Sequence, residues 1–228
     1  MSQQTLQQNK QITTSYGRKL AEKLSFGEEI GNAVSHGVMA AILLLVLPLM
    51  AVYGYLKGGV IMSIGFSIVA ISLFLMFLAS TLYHSMSYDS PHKIVFRILD
   101  HIFIYVAIAG TFTPIVLVAM DGVISYLVLI IQWGMVLFGI LYKSIAKNSL
   151  PKVSVTIYMA MGWSAILLIP QLIANTSPMF IGLIVLGGLL YTVGALFYRQ
   201  KKPWRHFLWH LFINAASISH LIAIIFYL

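Results

Sequence analysis

Seven apolar runs, each about as long as one bilayer crossing, constrain this chain more than any other feature. With soft edges they cover residues 33–55, 60–83, 94–119, 123–142, 153–173, 179–197 and 206–227. A helix needs roughly 20 apolar residues to cross the hydrocarbon core. Lipid offers no partner to backbone amides, so a crossing segment must satisfy its own as a helix. The expectation is an all-α membrane protein with seven transmembrane helices. They form one domain, residues 25–228, behind a polar tail of residues 1–24 whose lysines and arginine meet lipid headgroups. The connections are too short to hold a further domain, and neither an internal repeat nor a low-complexity stretch interrupts the pattern.

Composition agrees. Only 9% of residues are charged, against about a quarter in a soluble domain, and the mean hydropathy is +0.91. The first 26 residues are polar and lack the short apolar core of a cleavable signal. There is no cysteine, so disulfides are excluded and any metal site must use His, Asp, Glu or water. The net charge of +8 does not point to nucleic acid, because the basic residues sit between the apolar runs.

Their distribution predicts an orientation. Lys10, Arg18, Lys19 and Lys23 precede the first run. Lys93 and Arg97 follow the second, Lys143, Lys147 and Lys152 the fourth, and Arg199, Lys201, Lys202 and Arg205 the sixth. Only Lys57 falls on the other side. By the positive-inside rule the N-terminus is cytoplasmic and the C-terminus extracellular, the reverse of the G-protein-coupled receptors, with the chain expected in the cell membrane as a multi-pass protein.

Polar residues inside such runs are costly and need a reason. His206 and His210 stand four residues apart at the start of the last run, on one helical face, and Asn214, Ser217 and His220 continue that face. Ser80 and His84 repeat the spacing at the end of the second run. Asp100, the one acid inside an apolar run, opens the third. Ser80, His84, Asp100, His206 and His210 are all expected at one depth near the cytoplasmic surface. Three histidines with a carboxylate nearby suit Zn²⁺, and three protein ligands leave a fourth position open, as catalytic sites do. Asp100 is then a candidate general base and Ser80 a candidate donor to a developing oxyanion. The alternative is a polar layer that only packs helices together.

Glu29, Asn32 and His36 share a face of the first helix at the same end, either as a helix start and an interhelical hydrogen bond or as groups beside the metal ligands. His101 is turned about 100° from Asp100 and is assigned a supporting or structural role. His92 is expected exposed in a loop. His220 lies too far along the helix for the same ion and is expected to bond a neighbouring helix. Gln132, Trp133, Ser164, Pro170, Gly182, Gly187, Gly188 and Gly194 read as packing features, and Thr111 and Thr113 as hydroxyls able to satisfy carbonyls freed by a kink at Pro114. The stretch Asn175-Thr176-Ser177 matches a glycosylation acceptor.

At these residues the chain resembles the bacterial hemolysin III family, within the superfamily of progestin and adiponectin receptors. The resemblance rests on Glu29-x-x-Asn32-x-x-Ser35-His36, Ser80-x-x-x-His84, Asp100-His101 with residues 109–114, and His206-x-x-x-His210 with His220, and it covers nearly all of residues 25–228. It implies seven helices with a cytoplasmic N-terminus. It implies zinc held by His84, His206 and His210, with Asp100 contacting the metal through water and Ser80 close by. Its extension to alkaline ceramidases implies hydrolysis of an amide or ester bond in a membrane lipid that enters from the bilayer. The hemolysin name implies instead a cytolytic pore, and other members imply membrane homeostasis; in those cases the metal is structural. No charged lumen face supports a pore. The expected partners are the bilayer and a lipid substrate, with no nucleic acid and no protein partner indicated.

Overall fold

The computed structural model describes residues 23–88, 90–145 and 151–228, without the side chains of 151 and 152. The expected tail therefore lies almost wholly outside the described residues. Those residues are helical, with no strand among them. The elements are α1 (Phe26–Ser85), α2 (Pro91–Ala119), α3 (Gly122–Ile145), α4 (Pro151–Trp163), a 3₁₀ stretch (Ser164–Leu168), α5 (Ile169–Asn175), α6 (Pro178–Tyr198), α7 (Arg205–Ile222) and a terminal π turn (Ala223–Tyr227). Among the described residues, six helices are long and apolar enough to cross a membrane when α1 is taken whole and α4 and α5 are taken together.

The long α1 is not a straight rod. Gly58 and Gly59 leave helical geometry, and Gly59 takes φ 72°, ψ −160°, a conformation essentially confined to glycine. On either side of them the chain folds back. The Ser63 hydroxyl donates to the Ala51 carbonyl at 2.8 Å, and a Cβ on Gly54 would lie 3.0 Å from the Ser63 Cα. Further from the turn Gly37 faces Thr81, and at the far end Glu29 reaches His84. These pairs step outward symmetrically, so the element is an antiparallel hairpin of two apolar limbs. At its apex Lys57 Nζ donates to the Ile225 carbonyl at 3.2 Å, tying the turn to the end of the last helix.

Helix starts follow from local chemistry. Ser25 and Glu28 form a reciprocal capping box at the start of α1. Pro91 and Pro178 begin α2 and α6, where a missing N–H costs nothing, and Ser90 and Ser177 cap them through their hydroxyls. Proline at the helix start is why His92 stands in the first turn of α2 rather than in a loop, although it is exposed as expected.

The core holds Phe66, Phe77, Tyr105 and Phe180, all fully buried. The outer surface is equally apolar: Leu45, Val123 and Ile130 are each about two-thirds exposed or more. Exposed apolar area on this scale fits a surface solvated by lipid. Close approach is set by small residues: Gly65 against Pro114, Gly110 against Ser72, Gly139 against the Tyr105 ring, Gly187 against His220 and Gly194 against Trp209 and Phe212. Gly182 and Gly188, also expected at contacts, face open space.

The remaining polar residues are spent on helix pairing. Gln132 Nε2 donates to the Met161 carbonyl and to Ser164, both at 2.9 Å. Trp133 Nε1 donates to Thr113 at 3.1 Å, while the Thr111 and Thr113 hydroxyls donate to carbonyls four residues back. Asn175 donates to the Ala119 carbonyl, and Ser177 caps α6. His220 Nε2 donates to the Ile184 carbonyl of α6 at 3.1 Å, the interhelical bond expected of it.

Candidate metal centre

The open end of the α1 hairpin meets the start of α7, and three histidines converge there. His84 comes from the last turn of the second α1 limb. His206 and His210 come from the first turns of α7, one above the other on a single face. His84 Nε2 lies 3.3 Å from His206 Nε2, and His206 Nε2 lies 3.1 Å from His210 Nε2. One ligand atom from each falls within 4.8 Å of the others. The group can hold a metal ion. His84 and His210 are buried and His206 half-buried.

The tautomers sharpen the point. Glu29 Oε2 lies 2.6 Å from His84 Nδ1, so that nitrogen carries the proton and donates it to the carboxylate. His84 Nε2 is then a lone pair directed at the other two rings. Facing ring nitrogens can hydrogen-bond only if one of each pair carries a proton, and a single N–H on His206 Nε2 can serve both contacts; with His206 and His210 protonated on Nδ1 instead, all three Nε2 lone pairs face one another. In that second arrangement a cation can take the proton's place; an oriented carboxylate behind a ligating imidazole is the usual support of such a site. The residues present therefore fit a metal ion bound by nitrogen.

Glu29 is itself fixed. Its second oxygen accepts from Lys93 Nζ at 2.7 Å, and Lys93 also donates to the Met86 carbonyl at 3.1 Å. Lys93 is buried, with its ammonium 4.8 Å from the Tyr83 ring centre. The sequence offers no hint of this beyond one lysine in a basic link.

The other expected site residues fall around the cluster in distinct ways. His36 stacks on His210, ring centres 3.8 Å apart and 16° from parallel. Both of its nitrogens are buried without a hydrogen-bond partner among the described residues, as are Ser80 Oγ, Asn32 Oδ1, His210 Nδ1 and Asn214 Oδ1. Most such atoms in the described chain thus gather on the limbs and helix that carry the histidines, where buried polar groups call for a ligand or ordered water.

Asp100 is not among the groups whose ligand atoms converge. It lies within electrostatic reach of the Tyr83 and Tyr198 hydroxyls. Those rings pack on His84 at 4.5 Å and on His206 at 5.7 Å. His101 Nδ1 donates to the Arg97 carbonyl at 2.6 Å and is 3.7 Å from Asp100 Oδ2. It belongs with Asp100 rather than with the three converging rings.

Fold and site together define a class: an all-helical membrane protein carrying a largely buried three-histidine group able to hold a metal ion. Sequence comparison narrows the class to a family. The family described as "Haemolysin-III related" matches residues 24–221, and the chain belongs to it. Hemolysin-3 of Bacillus cereus is 35% identical over 201 residues, 88% of this chain and 91% of that protein. The hemolysin-3 homolog of Bacillus subtilis (strain 168) is 35% identical over 201 residues, 88% of this chain and 94% of its own. The human monocyte to macrophage differentiation factor is 29% identical over 161 residues, 67% of this chain and 66% of its own. This last likeness supports the wider superfamily of progestin and adiponectin receptors.

Proposed function

We propose that this chain is a zinc-binding membrane hydrolase that cleaves an amide or ester bond of a membrane lipid. The observation that carries the reading is the convergence of the three imidazole nitrogens, with Glu29 fixing one of them. His84, His206 and His210 hold the metal through nitrogen, a donor set that suits Zn²⁺ in the absence of thiolates. When bound, zinc supplies Lewis-acid polarisation of a carbonyl and a lowered pKa for water.

The chain's own groups supply the rest. Asp100 accepts the proton that the attacking water gives up and passes it to the departing amine or alcohol, and His101 orients the carboxylate. The Ser80 hydroxyl donates to the carbonyl oxygen of the scissile bond. Glu29 keeps His84 in the tautomer that points Nε2 at the metal, and His36 fixes the plane of the His210 ring. The substrate arrives laterally, because the cluster is enclosed by helices whose outer faces suit lipid.

The hairpin form of α1 supports two crossings for that element and seven for the chain. The basic residues support a cytoplasmic N-terminus, an extracellular C-terminus and a metal site near the cytoplasmic face of the cell membrane.

A second reading has one observation in its favour: Asp100 stands outside the converging group. In that reading zinc is a staple between α1 and α7 in a non-enzymatic protein, either a sensor of the membrane or a cytolysin of the kind its relatives' names suggest.

Elemental analysis of the detergent-purified protein, followed by incubation with ceramides and phospholipids and mass spectrometry of the products, separates the two. Zinc-dependent release of a fatty acid, lost in Asp100→Asn with the metal retained, supports the hydrolase. Full zinc occupancy without product from any of these lipids supports the staple. Vesicle leakage that survives removal of all three histidines supports a cytolysin.

A further inference from the structure

We infer that Glu28 is a positioning residue for the metal ligands, acting through Trp204 as a clasp between the start of α1 and the start of α7. The inference rests on the metal reading above and concerns a residue outside that set.

The clasp begins with an ordinary device used twice. Glu28 sits at the third position of α1, and its Oε2 accepts from the Ser25 backbone N–H at 3.2 Å and from the Ser25 hydroxyl at 2.8 Å. Its other oxygen, Oε1, accepts from the backbone N–H of Trp204. Trp204 is the residue just before α7, and α7 has no side-chain cap of its own. One buried carboxylate thus serves two helix starts, where the macrodipole favours negative charge.

What it holds is unusual. Trp204 has φ 64°, the one non-glycine residue with positive φ among the described residues. That region is unfavourable for a bulky side chain and persists only where the surroundings impose it. The surroundings here are specific. The Trp204 indole lies where a Cβ on Gly27 would be 3.5 Å from it, and the Phe207 ring fills the space over Gly31. Trp204 and Phe207 also meet edge to face, ring centres 5.8 Å apart. Glycines on α1 admit the two rings, and Glu28 anchors the backbone between them.

The consequence falls on the ligands. His206 begins two residues after Trp204, and the Leu208 N–H to Trp204 carbonyl bond at 3.0 Å starts the helix. Relaxing Trp204 to a right-handed conformation would change the direction in which α7 leaves its start. Both His206 and His210 would turn relative to His84, which is fixed by the other limb of α1. The left-handed residue therefore sets the phase of the helix that carries two of the three ligands, and Glu28 keeps it left-handed.

The test measures zinc affinity of the full chain in detergent by chelator competition, beside hydrogen exchange of residues 204–210 in metal-free protein. Circular dichroism and size exclusion confirm that each variant is folded. Glu28→Ala is expected to weaken zinc at least ~10-fold, the scale of lost support behind a metal ligand, and to speed exchange in that segment. Glu28→Gln keeps an oxygen for the Trp204 N–H and is expected within about threefold of the parent, by the same scale. Adding Trp204→Gly to Glu28→Ala removes the penalty of positive φ and is expected to recover most of the lost affinity.

Parental affinity and exchange in Glu28→Ala would overturn the clasp. So would a loss that glutamine shares and the added glycine does not repair, since that is the mark of general damage. If the parent itself binds no zinc, the metal reading fails separately. Exchange then decides alone: faster in Glu28→Ala and slow in Glu28→Gln sustains the clasp, and no difference overturns it.

Discussion

The two ends of α7 each bury histidine, and they bury it for opposite reasons. At one end His220 gives its Nε2 proton to the Ile184 carbonyl, lies against the Tyr191 ring and fits over Gly187, which has no side chain to obstruct it. A donor meets an acceptor on Nε2, Nδ1 stays buried without a hydrogen-bond partner among the described residues, and shape does the rest. At the other end His206 and His210 direct their nitrogens at each other and at His84. Nitrogen meets nitrogen, and either a shared N–H or a bound cation must stand between them. A buried histidine in a membrane helix is therefore read by what its nitrogens face, not by its burial or its spacing.

The largest effect expected from this contrast is on metal content. His210→Ala is expected to bring zinc from about one per chain, the content of a single three-histidine site, to background by elemental mass spectrometry, while His220→Ala keeps it. Equal loss in both variants would erase the distinction. A subtler break lies behind the ligand. Glu29→Ala removes the acceptor that orients His84 and is expected to weaken zinc ~10- to 100-fold, measured by chelator competition; an unchanged affinity would make the Glu29–His84 contact incidental.

At the His220 end the expected effects are on stability alone. Gly187→Ala forces a methyl group into the His220 ring and is expected to cost about 1–3 kcal/mol, seen as a lower unfolding temperature in detergent with zinc content intact. His220→Ala loses one interhelical hydrogen bond, worth roughly 0.6 kcal/mol on average in membrane proteins, together with some packing, and is expected to shift the same transition least.

Much of this was legible in the sequence because lipid imposes simple rules. Apart from the first run, which starts seven residues after Phe26, the apolar runs match the helical segments to within three residues at each end, since the hydrocarbon thickness fixes length and backbone groups must be satisfied internally. The His206 and His210 pair was legible because helical periodicity alone aligns them. Glu29 was legible as a face-sharing neighbour of Asn32 and His36, but not as the partner of His84 in place of some other group.

What escaped were contacts made by distant segments. Glu28 and Trp204 are separated by 176 positions, and no periodicity links them. Lys93 looked like one of many basic link residues, yet it is buried against Glu29. The 3₁₀ stretch between α4 and α5 left no pattern in an apolar run. Asp100 was legible as an exceptional acid, while its place outside the converging group depends on how three helices rotate against each other.

The turn at Gly58 and Gly59 also has a meaning for how the protein is made. Its two limbs are neighbours in the chain, so their pairing closes a short loop at little entropic cost and forms early. Glu29 and His84 thus meet as soon as the hairpin exists. The third and fourth participants arrive only with α7, since His84 and His206 are 122 positions apart. Until that helix docks, the nascent hairpin carries a lone oriented imidazole that cannot capture metal by itself, and completion of the cluster marks the moment when the first and last parts of the described chain have found each other.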